Sequence, residues 1–576
     1  MARLGLAWMA VTVVLGLLSV APASAQLAPI AGGVGPDGWT VLKKSPDTQV
    51  VYASSSQGDD ANDGLSPQRP LKTLEKGMSL LRDGHPDWLL LKRGDVWREG
   101  LGGWTNGNYR SGRSAAEPIV IGSYGDAPER PLIKVGTIEK NGFFRSYTGR
   151  TMPAGWKGPS NVAIVDMHVY DEKGDPNSPE FDESYRKDGG GLFWHGPGKN
   201  LLVENCFFEF NGLGVIGKGP TGAPDGDFFR NFQLRRCSII RNWTTSGHCQ
   251  GLFMNRVDGA LIEECVLDHN GYCFETGDLP TVFNHDVYVT IECDNVVLRG
   301  SIVARGSSTG FYCRTNGILE DNLCLDNTPS LNLGRITKFR PGGVTGRVAG
   351  NVVIGAVSVP RGGERVGPGI ELANVNMGGA VVENNILIGA TGSTAALKIG
   401  AAGVGAHNVT LRKNTVYNWS RAVHWVGTEG EKLEKQNLSG IVFEDNLFQL
   451  QRPARENDLM LTCRDSTELD GFRFSGNSYW WDTGDRGCVV MMEQEFSLAE
   501  WLRKTGEGPG AVERVTFADP ARDVGTYHGS LGSEATMEAF LAEAALQSRR
   551  NWRPEYTAVA VIEYIREGFR PKDAAN

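Results

Sequence analysis

A histidine, two tyrosines and an arginine lie in two short segments of similar pattern. His285 and Tyr288 belong to the stretch N-H-D-V-Y-V, and Tyr312 and Arg314 belong to the stretch G-F-Y-C-R. Imidazole and phenol groups can take up and release protons, and a guanidinium can neutralise a carboxylate. Removal of the C5 proton of a uronic acid needs both kinds of group, because negative charge develops next to the carboxylate. We therefore predict acid–base chemistry on a uronate, with the catalytic residues His285, Tyr288, Tyr312 and Arg314.

A repeated unit would place those two segments on neighbouring turns of one structure. From residue 201 onward, alternating residues lead to a sharp polar corner and a second apolar run, ten times at spacings of roughly 21 to 36 residues. The period of two indicates strands, and a third short strand follows most units. Three strands per unit predict an all-β fold, a right-handed parallel β-helix of about ten or more coils stacked at ~4.8 Å. Neither a leucine-rich-repeat consensus nor a W-D propeller signature occurs in these units.

One residue per unit occupies the corner between its first two strands. An inward Asn at a tight corner can hydrogen-bond its own turn and the Asn of the next coil. Buried Cys at the same position would be structural thiols. A disulfide between two Cys rungs, or between Cys463 and Cys488, is an alternative that the spacing leaves open. The predicted ladder is Cys206, Cys237, Cys265, Ser301, Asn322, Asn351, Asn385, Asn414, Asn446 and Asn477.

Residues at equivalent positions on successive coils should share one face. With Leu252, Val287 and Phe311 pointing inward, the next position on each strand points outward. The outward row predicted in this way is Phe253, Tyr288, Tyr312, Glu371, Lys398 and His424. A second set of residues at related positions would flank this row and contact a polymer laid across it. The predicted substrate-binding residues are Gln250, Asn255, Lys338, Arg340, Glu371 and Lys398.

The charge pattern favours an anionic polysaccharide as the partner. The 576 residues carry a formal net charge of -9, which disfavours nucleic acid. Between residues 328 and 367, however, six basic residues and the single acid Glu364 give a local net charge of +5. A basic surface on an acidic protein suits a polyanionic ligand. The six basic residues are Arg335, Lys338, Arg340, Arg347, Arg361 and Arg365.

The two ends of the chain differ in pattern from the middle. Arg3, an apolar stretch over residues 4–20 and the ending A-S-A at Ala25 predict a signal peptide at residues 1–25, and hence a periplasmic or secreted protein. Residues 26–495 would form the β-helix, with a helical N-terminal cap over residues 71–82. Residues 496–576 would form a mainly helical extension that packs on the β-helix. No later stretch reaches the ~18 apolar residues of a spanning helix, so we expect no stable membrane span after signal cleavage.

Three stretches resemble a known family. The sequence Y-A-S-S-S-Q-G-D-D-A-N-D-G-L-S-P-Q-R-P-L-K-T-L from Tyr52, I-V-I-G-S-Y-G from Ile119 and Y-I-R-E-G-F from Tyr564 resemble bacterial right-handed parallel β-helix proteins of the pectate-lyase-like family. That family includes polysaccharide lyases, some glycoside hydrolases and alginate C5-epimerases. The resemblance covers nearly all of the chain after the signal peptide. It implies the β-helix fold, and because one fold hosts many chemistries it does not by itself imply one activity.

A second, partial resemblance concerns the alginate C5-epimerases. In that group a D-P-H-D motif precedes a strand and an Arg closes the strand of the next coil. Here Asn284 stands where that motif has Pro, and no Asp precedes it. The resemblance implies that His285 acts as acid or base, that Arg314 neutralises the carboxylate, and that no cofactor is required. Related lyases use a Lys and an Arg with Ca²⁺, for which Lys338 and Arg340 are candidates, but no clear calcium site is visible in the sequence.

Several functions remain open at this point. Elimination and epimerisation begin with the same proton abstraction, so the residues do not separate a lyase from an epimerase. A glycoside hydrolase would need a pair of carboxylates, for which Glu275, Asp278 and Asp286 are the candidates. A non-catalytic polysaccharide-binding or envelope-matrix protein is the third alternative.

Overall fold

The computed structural model describes most of the chain after the predicted signal peptide. The signal peptide itself lies outside the described residues. So do Lys338, Arg340 and all but one of the basic residues counted between residues 328 and 367. The described residues are 27–104, 109–136, 142–146, 157–184, 190–220, 227–245, 248–334, 342–356, 367–389, 394–400, 405–426, 438–455, 458–463, 468–483 and 486–572.

The described residues form three long sheets whose strands follow one another in the order sheet 1, sheet 2, sheet 3 along each coil. Neighbouring strands in every sheet are parallel, except for the last pair of sheet 3. The 16 strands of sheet 1 are Val50–Ala53, Trp88–Lys92, Ile119–Tyr124, Val162–Val165, Lys199–Glu204, Phe229–Arg235, Val257–Glu263, Asp294–Arg299, Gly317–Glu320, Val344–Ala349, Val375–Glu383, Ala406–His407, Val409–Arg412, Leu438–Ser439, Ile441–Glu444 and Phe472–Ser475.

Sheets 2 and 3 complete each coil. The 13 strands of sheet 2 are Val96–Trp97, Leu132–Lys134, His168–Tyr170, Phe207–Glu209, Ser238–Ile240, Val266–Asp268, Ile302–Ala304, Leu323–Leu325, Val352–Ile354, Ile386–Ile388, Thr415–Tyr417, Leu447–Leu450 and Ser478–Trp481. The 14 strands of sheet 3 are Gly102–Gly103, Phe144–Arg145, Gly190–His195, Leu213–Lys218, Gln250–Asn255, His285–Val289, Phe311–Cys313, Leu331–Gly334, Ile370–Ala373, Ala395–Ile399, Arg421–Trp425, Leu459–Cys463, Val489–Met491 and Gln494–Phe496. The predicted fold, an all-β right-handed parallel β-helix, is confirmed.

The corner between sheets 1 and 2 carries the predicted ladder, which is confirmed. Asn322 donates its backbone N–H to Asn351 Oδ1 at 2.9 Å, and Asn351 donates in the same way to Asn385 Oδ1 at 3.0 Å. The Nδ2 of each amide also donates to a strand carbonyl of the preceding coil, such as that of Leu319. Each rung thus satisfies polar groups that would otherwise be buried without partners.

The two ends of this ladder differ chemically. At the first rungs the groups are thiols, and the Cys206 N–H donates to Cys237 Sγ at 3.4 Å. All ten cysteines are buried and form no disulfide in the described structure. At the last rung the carboxylate of Glu507 accepts from the Asn477 N–H at 3.1 Å and from the Tyr479 hydroxyl at 2.6 Å. Glu507 therefore ends the ladder with the acceptor that a further coil would otherwise supply.

A second ladder lines the corner between sheets 2 and 3. Asn242 Oδ1 accepts from the Asn211 N–H at 2.9 Å, and Asn270 Oδ1 accepts from the Asn242 N–H at 3.2 Å. The equivalent position on the next coil is Gly306, which has no side chain. Asp286 fills that place from the adjoining strand, and its Oδ1 accepts from Asn270 Nδ2 at 2.8 Å. Asp286 is fully buried, and burial raises the pKa of its carboxyl well above the ordinary value.

One helix lies at the N-terminal end of the β-helix. Helix α1 (Leu74–Ser79) starts at Thr73, whose side chain accepts from the Lys76 N–H, and it buries Leu74 and Met78 in the core beside the first coil. The helix is shorter than the predicted 71–82, because Leu71 instead forms a bridge with Ala53 of the first strand.

The C-terminal segment contains four further helices among the described residues. Helix α2 (Leu498–Thr505) begins with a capping box and places Trp501 against Trp425 and Phe474, which closes the last coil. Helices α3 (Val524–Ser530), α4 (Met537–Ala545) and α5 (Ala558–Gly568) form an apolar cluster with the outward residues of sheet 2. Within the described ranges, no helix is long and apolar enough to cross a bilayer. Three short 3-10 helices complete the list: Phe274–Thr276, Pro509–Ala511 and Pro554–Tyr556.

Candidate functional site

One row of outward side chains runs along the exposed face of sheet 3. The strand register confirms the predicted order of this row and adds Asn332, which pairs with Tyr312 on one side and Glu371 on the other. Asn332 was not predicted because the strand Leu331–Gly334 was not recognised, although L-N-L alternates correctly. The row, from one end to the other, is Arg145, Phe193, Ile216, Phe253, Tyr288, Tyr312, Asn332, Glu371, Lys398, His424 and Thr462.

Two tyrosines and an arginine form the centre of this row. The rings of Tyr288 and Tyr312 are stacked, with centroids 5.3 Å apart and planes 14° apart. Arg314 Nη1 donates to the Tyr288 hydroxyl at 2.8 Å, and its Cζ lies 5.6 Å from the centroid of the Tyr312 ring. All three side chains are partly exposed on the outward face of sheet 3 that carries this row, which we call the groove of sheet 3. A fixed positive charge thus lies beside a phenol that can donate or accept a proton.

His285 lies against the same two rings. Its imidazole centroid is 5.2 Å from that of Tyr288 and 5.0 Å from that of Tyr312, and the residue is 4% exposed. Strict alternation would not place His285 and Tyr288 on one face. They share it because both Asp286 and Val287 point inward, Asp286 into the second ladder and Val287 into the core. The structure therefore brings His285, Tyr288, Tyr312 and Arg314 together, and their catalytic roles stay predictions.

Gln250 and Asn255 use their amides to connect neighbouring coils. Gln250 Oε1 accepts from the His285 N–H at 2.8 Å, and its Nε2 donates to the Phe283 carbonyl at 2.7 Å. Asn255 Nδ2 donates to Thr290 Oγ1 at 2.9 Å. Both residues are buried. These bonds hold the strand that carries His285 in register, and the substrate-binding role of the two amides stays a prediction.

Further along the row, Glu371 and Lys398 form an ion pair. Lys398 Nζ lies 3.0 Å from Glu371 Oε1, and Asn332 Nδ2 donates to Glu371 Oε2 at 3.0 Å. Glu371 is 1% exposed, so its carboxylate serves chiefly to position Lys398 and Asn332. A contact of Lys398 with substrate stays a prediction. The other two predicted substrate-binding residues, Lys338 and Arg340, lie outside the described residues.

The predicted basic surface needs one correction. Arg347 belongs to sheet 1, where its guanidinium lies 2.9 Å from Glu320 and 2.9 Å from Glu383. It was wrong to count Arg347 toward this basic surface, because a strand residue faces the side that its register dictates. The acids that neutralise it come from neighbouring coils, about thirty residues away in sequence, which a local charge count does not include.

The structure places the three carboxylates that were considered for a glycoside hydrolase in different surroundings. Asp286 was a wrong candidate, because it is 0% exposed and bonded to Asn270 inside the β-helix. Asp278 lies on the loop before the His285 strand, where its Oδ2 accepts from Thr276 Oγ1 at 2.8 Å, and Glu275 is exposed on the same loop. In the part of the chain that the structure describes, no three His, Cys, Asp or Glu side chains converge as a metal ion requires. A role for Ca²⁺ stays a prediction.

Three basic side chains on the same face were missed by the sequence analysis. Arg145 pairs in register with Phe193 of the next strand, and His195 pairs with Lys218. The available signal was a basic residue at the end of two alternating runs, G-G-L-F-W-H and L-G-V-I-G-K, 23 residues apart. It was overlooked because the predicted outward row began only at Phe253, two strands further along the chain.

Comparison with known proteins gives matches of structure and none of sequence. No protein-family model and no curated protein matches the chain. The A-module of a mannuronan C-5 epimerase from Azotobacter vinelandii aligns with 71% of this chain and 89% of its own, at 13% identity and a TM-score of 0.34. A periplasmic alginate epimerase aligns over 70% and 81%, at 11% identity and a TM-score of 0.38. A surface adhesin of Streptococcus pneumoniae aligns over 72% and 90%, at 10% identity and a TM-score of 0.40.

Proposed function

We propose that the protein is an exported polysaccharide lyase or C5-epimerase that acts on a uronate-containing polymer by abstraction of the C5 proton. The observation that carries the proposal is the hydrogen bond from Arg314 to the Tyr288 hydroxyl, next to His285, on the groove of sheet 3. The reaction needs a cation beside the uronate carboxylate, a base at C5 and an acid, and a guanidinium, an imidazole and a phenol can fill these roles.

Arg314 is the group proposed to neutralise the uronate carboxylate. Its guanidinium is planar and permanently charged, which suits a carboxylate better than a flexible ammonium would. With the carboxylate neutralised, the electron pair left at C5 by loss of the proton is stabilised as an enolate. No cofactor is needed for this step.

Tyr288 is the group proposed to donate a proton. Because its oxygen accepts a hydrogen bond from Arg314, its own O–H can point toward substrate, and the phenolate formed on donation is stabilised by the adjacent charge. In elimination the proton goes to the C4 oxygen as the C4–O bond breaks and the C4–C5 double bond forms. In epimerisation a proton returns to C5 from the opposite face. In both reactions the first step is removal of the C5 proton, which His285 or Tyr312 takes.

The test uses the full mature chain with alginates, pectates and glycosaminoglycans, each with added Ca²⁺ and with a chelator. New absorbance from an unsaturated uronate identifies a lyase, and incorporation of deuterium at C5 in heavy water without new absorbance identifies an epimerase. Binding of a polymer with neither signal would overturn the enzymatic proposal in favour of a non-catalytic polysaccharide-binding protein.

Two variants and one control locate the activity. His285→Ala and Arg314→Ala should each remove turnover by at least about 100-fold while the protein keeps its thermal transition. Arg347→Gln removes the same charge from an ion pair on sheet 1 and should leave turnover unchanged. Equal activity of Arg314→Ala and the wild type would show that the site lies elsewhere.

A further inference from the structure

A group of three basic side chains lies on the groove of sheet 3, on the N-terminal side of the proposed catalytic residues. Arg145, His195 and Lys218 come from three successive strands of the sheet and point to the same face. The Arg145 guanidinium lies over the ring of Phe193, with Cζ 4.5 Å from the ring centroid. All three residues are half-buried, so the charges of Arg145 and Lys218 and the imidazole of His195 are only partly accessible to solvent.

The three side chains have no anionic partner within the described residues. None of them lies within ion-pair distance of a carboxylate there. Glu292 follows the strand that carries Tyr288, and its Oε2 accepts a hydrogen bond from Asn255 Nδ2 at 2.7 Å. Burial lowers the pKa of Arg145, and the Arg145 Nε is buried without a hydrogen-bond partner. Burial, and then the charges of Lys218 and Arg145, lower the pKa of His195 to about 3.

Such an arrangement is costly unless an anion completes it. Half-buried positive charges without counter-charges are destabilising, and an anion that enters regains both the Coulomb energy and the missing hydrogen bonds. On sheet 1, by contrast, the outward Arg347 is matched by Glu320 and Glu383 on the adjacent coils. The absence of such matching at the described part of this groove marks it as a place for an external anion.

We propose that Arg145, His195 and Lys218 form a second anion-binding subsite, which holds a carboxylate of the same polymer some sugars away from the reacting unit. Lys218, Asn255, Thr290 and Arg314 occupy equivalent positions on four successive coils. Three coil spacings of ~4.8 Å therefore separate Lys218 from Arg314, about 14 Å along the axis. The side chain of Phe253, on the coil that follows Lys218, offers apolar surface to the face of an intervening sugar ring.

This inference rests on the proposed function in one respect, the class of polymer. It does not depend on the reaction. The subsite requires a polyanionic chain that extends along the groove. It does not require that the chain be cleaved or epimerised. A protein that only binds such a polymer would use the same three side chains, so the test measures binding and not turnover.

The experiment compares short and long uronate oligomers by calorimetric titration of the full mature chain. Lys218→Gln should weaken binding of the long oligomers about fivefold to tenfold and leave the short ones, which reach only Arg314, unchanged. Lys218→Glu should weaken the long oligomers further, because it places a like charge against the carboxylate. Both losses should shrink as salt is raised.

Lys199→Gln is the matched control. Lys199 follows His195 by four residues on the same coil but is exposed on sheet 1. It should affect neither oligomer class. Equal losses in Lys199→Gln and Lys218→Gln, equal losses for short and long oligomers, or no binding of any polyuronate to the wild type would each overturn the subsite. Retained binding with the expected losses but no turnover would leave the subsite standing and reject only the enzymatic proposal.

Discussion

Arg314 reaches back across one coil to bond Tyr288, and it lies against the ring face of Tyr312 on its own coil. The Nη1 to Oη distance is 2.8 Å, and the Cζ atom is 5.6 Å from the Tyr312 ring centroid. The stacked tyrosines are thus chemically distinct although they occupy equivalent positions in the repeat. Arg314 bonds the oxygen of Tyr288 and lies against the ring face of Tyr312, and these different contacts separate their expected roles.

Replacement of each tyrosine by Phe tests that distinction. Tyr288→Phe keeps the stacked ring and removes the hydroxyl that Arg314 holds, so kcat should fall about 100-fold to 10,000-fold with a small change in KM. Tyr312→Phe removes the same atom from the same stack, and its kcat should fall less where His285 is the base that takes the C5 proton. Steady-state kinetics on the polymer found active would measure both. An unchanged kcat in Tyr288→Phe would overturn the assignment of Tyr288 as the proton donor, and a large loss in Tyr312→Phe would assign the base to Tyr312.

Asp286→Asn should stabilise the protein at neutral pH. The folded state holds Asp286 protonated, because burial raises its pKa above 3.8, while the unfolded chain releases the proton. The wild type therefore loses stability as pH rises from about 4 toward the folded pKa, by up to about 1.4 kcal/mol per pH unit, and the Asn variant does not. An Asn also retains the acceptor that Asn270 needs.

Urea unfolding at pH 4 and pH 7.5 measures this effect. The two proteins should have similar free energies of unfolding at pH 4, and the variant should be the more stable at pH 7.5. A variant that is less stable at pH 7.5 would show that the carboxyl is ionised in the core.

His195→Gln should change acid stability in the opposite direction. Burial keeps His195 neutral in the folded protein down to about pH 3, whereas the unfolded chain takes up the proton near pH 6.5. Stability of the wild type should therefore fall as pH drops from 6.5 toward 3, and the Gln variant should not show this part of the loss. Thermal melts at pH 4.5 and pH 7.5 compare them. If the wild type and the variant lose the same stability between pH 7.5 and pH 4.5, the imidazole of His195 is not buried in its neutral form.

Asn385→Ala should destabilise the protein by about 2–4 kcal/mol, because it removes one rung from the middle of a buried ladder. Its Oδ1 accepts from Asn351, and its Nδ2 donates to the Val348 carbonyl at 2.9 Å and to Asn414 Oδ1 at 2.9 Å. Asn385→Ser should cost less, since Ser301 already serves as a natural rung and accepts from the Cys265 N–H. Denaturant titrations measure both variants, and equal losses would mean that cavity formation, and not hydrogen bonding, dominates the cost.

The sequence determined the coil and the order of its outward row. Alternation of period two assigns the face of each residue within a strand, and a corner that recurs once per unit sets the register between coils. That was sufficient for the ladder from Cys206 to Asn477 and for the neighbourhood of Tyr288, Tyr312 and Arg314. Alternation assigned the correct face wherever a strand was recognised. It did not include Asn332, because the strand that carries Asn332 was not recognised.

The tertiary structure decided what happens where the alternation breaks. Asp286 turns inward because Gly306, on the next coil, leaves an empty place in the second ladder, and His285 consequently lies beside Tyr288. Arg347 is neutralised by acids of the coils on either side, whereas Lys218 meets none in the described part of its groove. Packing vacancies and charge pairing between coils depend on residues about thirty positions apart, and only the stacked coils bring those residues into contact.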